Sequence, residues 1–486
     1  MKKKKAVLIV GTQQKGFLIA LARLLSEIVD VTMLAFDADI AANLQQHLPD
    51  IRVHIIDFNP YKPRGERNIL SESLRIEQAY GENISMLCSQ DRALGHAYLL
   101  NIDKYPMAKR AKWDNQKKYA QIISEIAYYE KMIEHEQPDI AISLVINHQL
   151  WLTTKKNEIL YLAPSYIKFG TRLFWSDCPE YKSEKLVSTV QQYLQDRSGD
   201  ESSPQICYEQ EVGSKLNHSR VRYDYFDAIH KAAKTVLTDI YRIIRGRFKP
   251  DSYPLFGWVQ SHFLRVLNYN YLKRIGKCPH DLKGRKIIYF PLHLEPEIAL
   301  LNVSPEFNNS IEMISWISKS LPADAVLVLK EHPIAYAVRS RGYYERIARM
   351  PNVIWAAPVV QSWEWIKQSS IVTTITGTAA IEAIYFGKPV LSYGLHQIVN
   401  LLPSVRFASD YPSTKKSVQD LLDHKVTKEQ IDRSRTALYK AQLEVSFAVP
   451  GFEEIYKSSK PEPEQAELAF QSLVALYGPL IAAGRG

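Results

Sequence analysis

Apolar residues along this chain come in short unbroken runs, separated by longer stretches of helical spacing. Residues 6–10 (Ala-Val-Leu-Ile-Val) form the first run, and 31–36 and 51–58 form the next two. Between the first two, Phe17, Leu18, Leu21, Leu24, Leu25 and Ile28 recur at the period of one helix face. A run without alternation predicts a strand buried on both faces. Runs that alternate with helices predict a parallel sheet with crossover connections. Residues 66–135 read as mostly helical, 138–146 as another buried strand, and 161–168 as its successor. From 178 to 235 the pattern weakens. The polar, turn-rich stretch 197–204 predicts an exposed loop within an insertion.

A second alternation starts near residue 285. Strands are predicted at 286–291, 325–330, 353–356, 371–375 and 389–392, with helices at 308–320, 340–349, 361–368 and 378–386. Residues 427–445 and 464–482 read as terminal helices, and no solenoid-type repeat is present. The expected fold class is α/β: two doubly wound Rossmann-like domains facing a cleft, with ligands beyond the carboxyl ends of the strands. The expected division is an acceptor-side domain at 1–240 with a helical insertion near 178–235, a basic aromatic linker at 241–284, a nucleotide-binding domain at 285–460, and a C-terminal helix at 461–486.

Size and composition narrow this picture without redirecting it. A chain of 486 residues suits two or three domains. No stretch reaches the roughly 18 apolar residues of a membrane span. The lysines at 2–5 and the apolar run behind them look like a signal peptide. The run is short, however, and passes into Gly11-Thr12-Gln13-Gln14 without a small-residue cleavage pattern. A cytoplasmic protein is therefore expected. Cys88, Cys178, Cys207 and Cys278 lie far apart with no paired spacing, so neither a zinc site nor a disulfide framework is expected.

The charge is concentrated. Segment 241–286 holds eleven Lys and Arg against two acids, which accounts for the whole formal net charge of +9. Tyr241, Phe248, Tyr253, Phe256, Trp258 and Phe263 interleave it. Such a segment is either a solvated helix face with an aromatic underside or a contact for an anionic surface. The surface in the second case is phospholipid headgroups or a lipid-linked diphosphate. A peripheral place on the inner face of the cytoplasmic membrane is then expected. No recognition motif for nucleic acid accompanies the segment, and no such partner is expected.

The candidate chemistry lies in the second alternation. The strand 287–291 runs into Leu292-His293-Leu294-Glu295-Pro296-Glu297, and a carboxylate at a strand tip can serve as base, nucleophile or oxocarbenium stabiliser, or be a plain surface acid. Lys330-Glu331-His332-Pro333 ends the next predicted strand. Proline there holds the preceding His extended, so Lys330 or His332 can meet a phosphate, and Arg339 can add a second cation or be a helix-face charge. Thr376-Gly377-Thr378 ends the strand 371–375 and opens a helix whose amides and hydroxyls can cradle a phosphate, with Glu382 one turn along to accept from ribose hydroxyls. The alternative is an N-cap and a helix-face glutamate. In the first alternation Asn147, His148, Glu158 and Asp177 are either acceptor-side groups or solvated residues.

In this order, Pro-Leu-His-x-x-Pro-Glu, Lys-Glu-His-Pro, Thr-Gly-Thr-x-x-x-Glu-Ala and Gly-Lys-Pro-Val resemble the capsule polysaccharide biosynthesis glycosyltransferases. These are GT-B enzymes related to the bacterial Kdo transferases that use CMP-Kdo. The His-Pro pair is similar to that of GT-B sialyltransferases and CDP-glycerol polymerases. The resemblance covers about 285–400. It implies a metal-independent glycosyltransferase with a nucleotide-sugar donor, CMP-linked, no further cofactor, and a glycan or lipid-linked glycan acceptor. It implies that His332 contacts the donor phosphate, that Thr376, Gly377 and Thr378 cradle the nucleotide, and that Glu382 binds ribose. Glu297 matches best the catalytic acid of the Kdo transferases, and His293 takes the place of their glutamine. Lys330 and Arg339 complete the expected donor site. No Asp-x-Asp pattern is present to hold a metal.

Overall fold

The computed structural model describes residues 3–11, 15–95, 110, 113–144, 146–196, 223–246, 255–295, 297–307, 309–449 and 463–482. The expected loop at 197–204, residues 12–14 of the first loop, and 247–254 of the basic segment with Pro250 and Pro254 lie outside the described residues. The chain divides into two units. The first comprises Met1–Leu87, Asp114–Val190 and Tyr439–Gly486, and the second comprises Cys88–Trp113 and Gln191–Leu438.

The first unit begins with β1 (Lys5–Val10), β2 (Asp30–Ala35), β3 (Arg52–Ile55), β4 (Ile140–Ser143), β5 (Leu160–Tyr166) and β6 (Arg172–Ser176). The order β3-β2-β1-β4-β5 is parallel throughout, and the winding reverses between β1 and β4. Ala6, Leu8 and Val10 enter one apolar cluster while Val7 and Ile9 enter another. Both faces of β1 are covered, which is why its sequence shows no alternation.

The second unit carries β7 (Lys286–Pro291), β8 (Ala325–Lys330), β9 (Val353–Trp355), β10 (Ile371–Thr374), β11 (Val390–Ser392) and β12 (Val405–Phe407). Their order is β9-β8-β7-β10-β11-β12 with every pairing parallel. This is the doubly wound Rossmann order, with its switch point between β7 and β10. The fold-class expectation is met in each unit.

The division of the chain departs from the expected boundaries: the second unit takes in Cys88–Trp113 and starts again at Gln191 where 241 or later was expected, and the chain returns to the first unit at Tyr439. After leaving the second unit, the chain adds β13 (Ser446–Ala448) antiparallel to β6, which itself runs antiparallel to β5. The helix Pro463–Ala482 then sets Ala466, Ala469, Leu473 and Tyr477 in the cluster that holds Phe17 and Leu21. Its apolar stripe covers the helix Lys15–Ile28, so the C-terminal helix completes the first unit. The basic aromatic segment is likewise not a free linker. The helix Gly257–Ile275 buries Leu272 in the core of the second unit, and Asn268 donates to the carbonyls of Tyr336 and Arg339, each at 2.9 Å.

Candidate functional site

The loops after β7, β8 and β10 bring the predicted residues of the second unit to the carboxyl edge of its sheet. The closest link joins the two strands flanking the switch point. His293, just past β7, is buried, and its Nε2 accepts the backbone N–H of Thr376 at 3.2 Å. The Thr374 hydroxyl lies 3.4 Å from the same nitrogen and accepts the N–H of Gly377 at 2.8 Å. With Nε2 accepting, the neutral ring carries its proton on Nδ1. Nδ1 lies 4.0 Å from a Glu297 carboxylate oxygen.

Gly377 is required here by space. A Cβ at this position would lie 2.9 Å from His293 Cε1 and 2.9 Å from the Thr374 hydroxyl. The amides of Thr376 and Gly377 are thus engaged within the loop. Thr378, which opens the helix Ala379–Tyr385, is exposed, and its side chain hydrogen-bonds Glu382. Burial pushes the Glu382 carboxyl above its usual range, against the pull of that hydrogen bond.

The structure separates the two glutamates that the sequence places side by side. Glu295 is fully buried and accepts the N–H of Ser310 at 2.9 Å, whereas the Glu297 side chain is 44% exposed and precedes the helix Ile298–Val303. Only Glu297 of this pair is open to a reactant.

Arg339 is not the surface cation that the sequence suggests. It is fully buried and pairs with Glu331 at 2.6 Å and Glu295 at 3.1 Å. It also donates to the His293 carbonyl at 2.9 Å. A buried guanidinium is tolerated only beside opposing charge, and Arg339 meets two carboxylates through its terminal nitrogens while its Nε–H has no partner among the described residues. Arg339 therefore ties the loop after β7 to the turn after β8, and acts by positioning His293. Burial raises the Glu331 carboxyl, with Arg339 opposing the rise. Sequence reading missed Glu331, and the signal was available: a Glu inside Lys-Glu-His-Pro with a single Arg eight residues on.

His332 is half-buried, and its Nδ1 accepts the N–H of Ile334 at 3.3 Å, which assigns the neutral ring's proton to Nε2. The Glu331 carboxylate accepts the N–H of His332 at 2.7 Å and fixes the turn. The Lys330 ammonium donates to the carbonyls of Pro358 and Val360 at 3.3 and 2.5 Å, and burial lowers its pKa to about 8, with the Glu364 charge opposing.

In the first unit, Asn147 caps the helix His148–Lys156 and donates to the Tyr129 hydroxyl at 2.7 Å. Asp177 accepts the N–H of Glu184 at 2.9 Å, and burial raises its carboxyl. Glu158 sits in a turn at a positive φ of 54°. Among the described residues neither buried ring nitrogen of His148 has a hydrogen-bond partner, and burial lowers its pKa to about 4, with Glu180 pulling the other way. An unfolded chain takes up this proton near pH 6.5, so stability falls as the pH drops from 6.5 to 4. Below pH 4 the full cost is about 3 kcal/mol. His148→Phe is expected to flatten that slope in urea titrations at pH 7, 5 and 4, and an unchanged slope would refute the assignment.

Among the described residues one cluster, Cys278, His280 and Asp281, brings metal-ligating atoms within 4.8 Å of one another. It is a surface turn in which Asp281 accepts the N–H of Cys278.

Residues 251–398 match the model of a family described as capsule polysaccharide biosynthesis protein. The resemblance drawn from the motifs is borne out over that segment, which contains every donor-site residue considered above. No curated protein matches the chain. Among solved structures, a β Kdo 2,7 transferase, KpsC of Thermosulfurimonas dismutans, is 14% identical over 75% of this chain and 97% of its own, with a TM-score of 0.33. A glycosyltransferase from Rickettsia africae is 10% identical over the full length of both chains, with a TM-score of 0.29. A UDP-GlcNAc 2-epimerase from Neisseria meningitidis is 11% identical over 90% of this chain and 100% of its own, with a TM-score of 0.27.

Proposed function

We propose that the protein is a glycosyltransferase of bacterial surface polysaccharide synthesis that takes a nucleotide-activated sugar in its second unit. The observation that carries this reading is the strap between the switch-point loops: His293 accepting from Thr376, with Gly377 leaving no room for a side chain. Ligands of doubly wound sheets settle in the crevice outside such a point. The family match over 251–398 supports a place in capsule polysaccharide synthesis, and the motif resemblance supports sugar transfer.

In this mechanism the donor's leaving phosphate takes a hydrogen bond from Nε2–H of His332, and Glu382 accepts from the ribose. Fixed donors aimed at the leaving group lower the barrier because they need no reorganisation when charge develops. Glu297 works at the anomeric carbon as nucleophile or base, and the acceptor is a glycan or a lipid-linked glycan. The donor is CMP-linked, and CMP-Kdo fits best. That choice rests on the motif resemblance.

Thermal unfolding with CMP, CDP, UDP and TDP tests the donor. A nucleotide present at 100 times its Kd adds about 2.7 kcal/mol to the stability of the state that binds it. CMP is expected to give the largest shift, and Gly377→Val is expected to abolish it by displacing His293. A larger shift with UDP or TDP would favour a transferase or epimerase using those sugars. No shift with any nucleotide would favour a non-catalytic scaffold.

A further inference from the structure

The helix Tyr225–Ile244 carries an apolar face that no described residue of the second unit covers. Asp224 caps its start by accepting the N–H of Asp227. One face, at Ala228, Ala232 and Asp239, is buried, and the helix packs against Gly257–Ile275. At 100° per residue, the opposite sector holds Phe226, Ile229, Leu237, Ile240 and Ile244. These are exposed, with Phe226 at 79%, Leu237 at 68% and Ile244 at 76%. A row of large apolar side chains over five turns goes beyond the scattered exposure normal for a soluble surface.

Charge lies beside this row and not within it. His230, Lys234 and Arg245 project along one flank and are exposed. Lys231 and Arg242, nearer the packed face, are paired with Asp227 and Asp239. Apolar sector, basic flank and a packed third face make the pattern of a helix that lies in a membrane interface. Among the described residues no helix is long and apolar enough to cross a membrane.

We infer that the helix Tyr225–Ile244 docks the protein on an anionic phospholipid bilayer, with its Phe226–Ile244 row in the acyl boundary and its basic flank among the headgroups. The exposed cations Lys273, Arg274 and Lys277, within the segment expected from sequence to make this contact, add long-range attraction. Charge selects this partner over a second copy of the chain. An isologous pairing through the row would set two basic flanks against each other, whereas an anionic surface complements them. The inference does not rest on the proposed transfer reaction.

Co-sedimentation of the full chain with vesicles of phosphatidylcholine, with and without phosphatidylglycerol, tests it. The wild type is expected to bind the anionic vesicles, with binding weakened by salt and poor on phosphatidylcholine alone. Leu237→Glu with Ile244→Glu is expected to weaken binding at least about tenfold. It should leave the unfolding temperature unchanged, because both side chains are in solvent. Arg245→Gln with Lys234→Gln should reduce the salt dependence while keeping a residual affinity. Three results would overturn the inference: no wild-type binding, unchanged binding of the Glu variant, or a concentration-dependent dimer that the Glu substitutions dissolve.

Discussion

Glu297→Gln is expected to lower sugar transfer by about a thousandfold while leaving nucleotide affinity within about twofold. The substitution keeps the size of the side chain and its place ahead of the helix Ile298–Val303, and removes only the carboxylate. The Glu297 carboxylate lies 4.0 Å from His293 Nδ1, and the bond from the Thr376 N–H to His293 Nε2 does not involve it, so the loops after β7 and β10 keep their link. Glu295→Gln is the control. That residue is buried and held by Arg339 and Ser310, so its loss should appear in stability and not in a pure loss of turnover. Single-turnover rates with the nucleotide sugar, beside equilibrium nucleotide binding, separate the two. Full activity of Glu297→Gln would remove Glu297 from the mechanism.

Arg339→Leu is expected to destabilise the second unit by about 3–5 kcal/mol, because it strands two buried carboxylates, Glu295 and Glu331, without a counter-charge. It also leaves the His293 carbonyl without its donor and loosens the loop that carries Glu297. Urea unfolding checks the figure through the midpoint at constant slope. Arg339→Lys should recover only part of the loss, since an ammonium cannot span both carboxylates and a carbonyl as a planar fork does. Adding Glu295→Gln and Glu331→Gln to Arg339→Leu should restore more of it, because the uncompensated charge is gone. A single-variant loss below about 1 kcal/mol would show that the triad is not held as a buried ion network.

The strands were legible wherever the chain is buried on both sides. The runs 286–291 and 325–330 coincide with β7 and β8, and 371–375 overruns β10 by a single residue. A parallel strand needs apolar residues at every position, and no exposed face dilutes the signal. β6 and β13 escaped because they are short, five and three residues, and β13 finds its antiparallel partner far away in sequence at β6. The destination of the C-terminal helix was equally hidden, since periodicity shows that a helix has an apolar stripe and not which surface receives it.

At the candidate site, the sequence marks the loops that the structure brings to one sheet edge, but not which of their charges are buried against one another. Lys330, Glu295, Glu331 and Arg339 look alike in a sequence as charged residues at strand tips. The structure uses the last three to neutralise one another inside the unit and turns Lys330 onto backbone carbonyls. His293 and Gly377 show the reverse: sequence pattern marks each separately, and the structure packs one against the other.

The return of the chain to its first unit has a consequence for biosynthesis. A ribosome releases β1 to β6 early, but the strand that closes the β6 edge and the helix that covers Lys15–Ile28 are made only after the second unit. Until then the nascent first unit holds an open sheet edge and a bare apolar helix face, the two features that invite wrong pairing. The second unit, by contrast, has its whole sheet by residue 407. The second unit can therefore complete its sheet first, and the first unit is the one left open to wrong pairing until its return strand and helix are made.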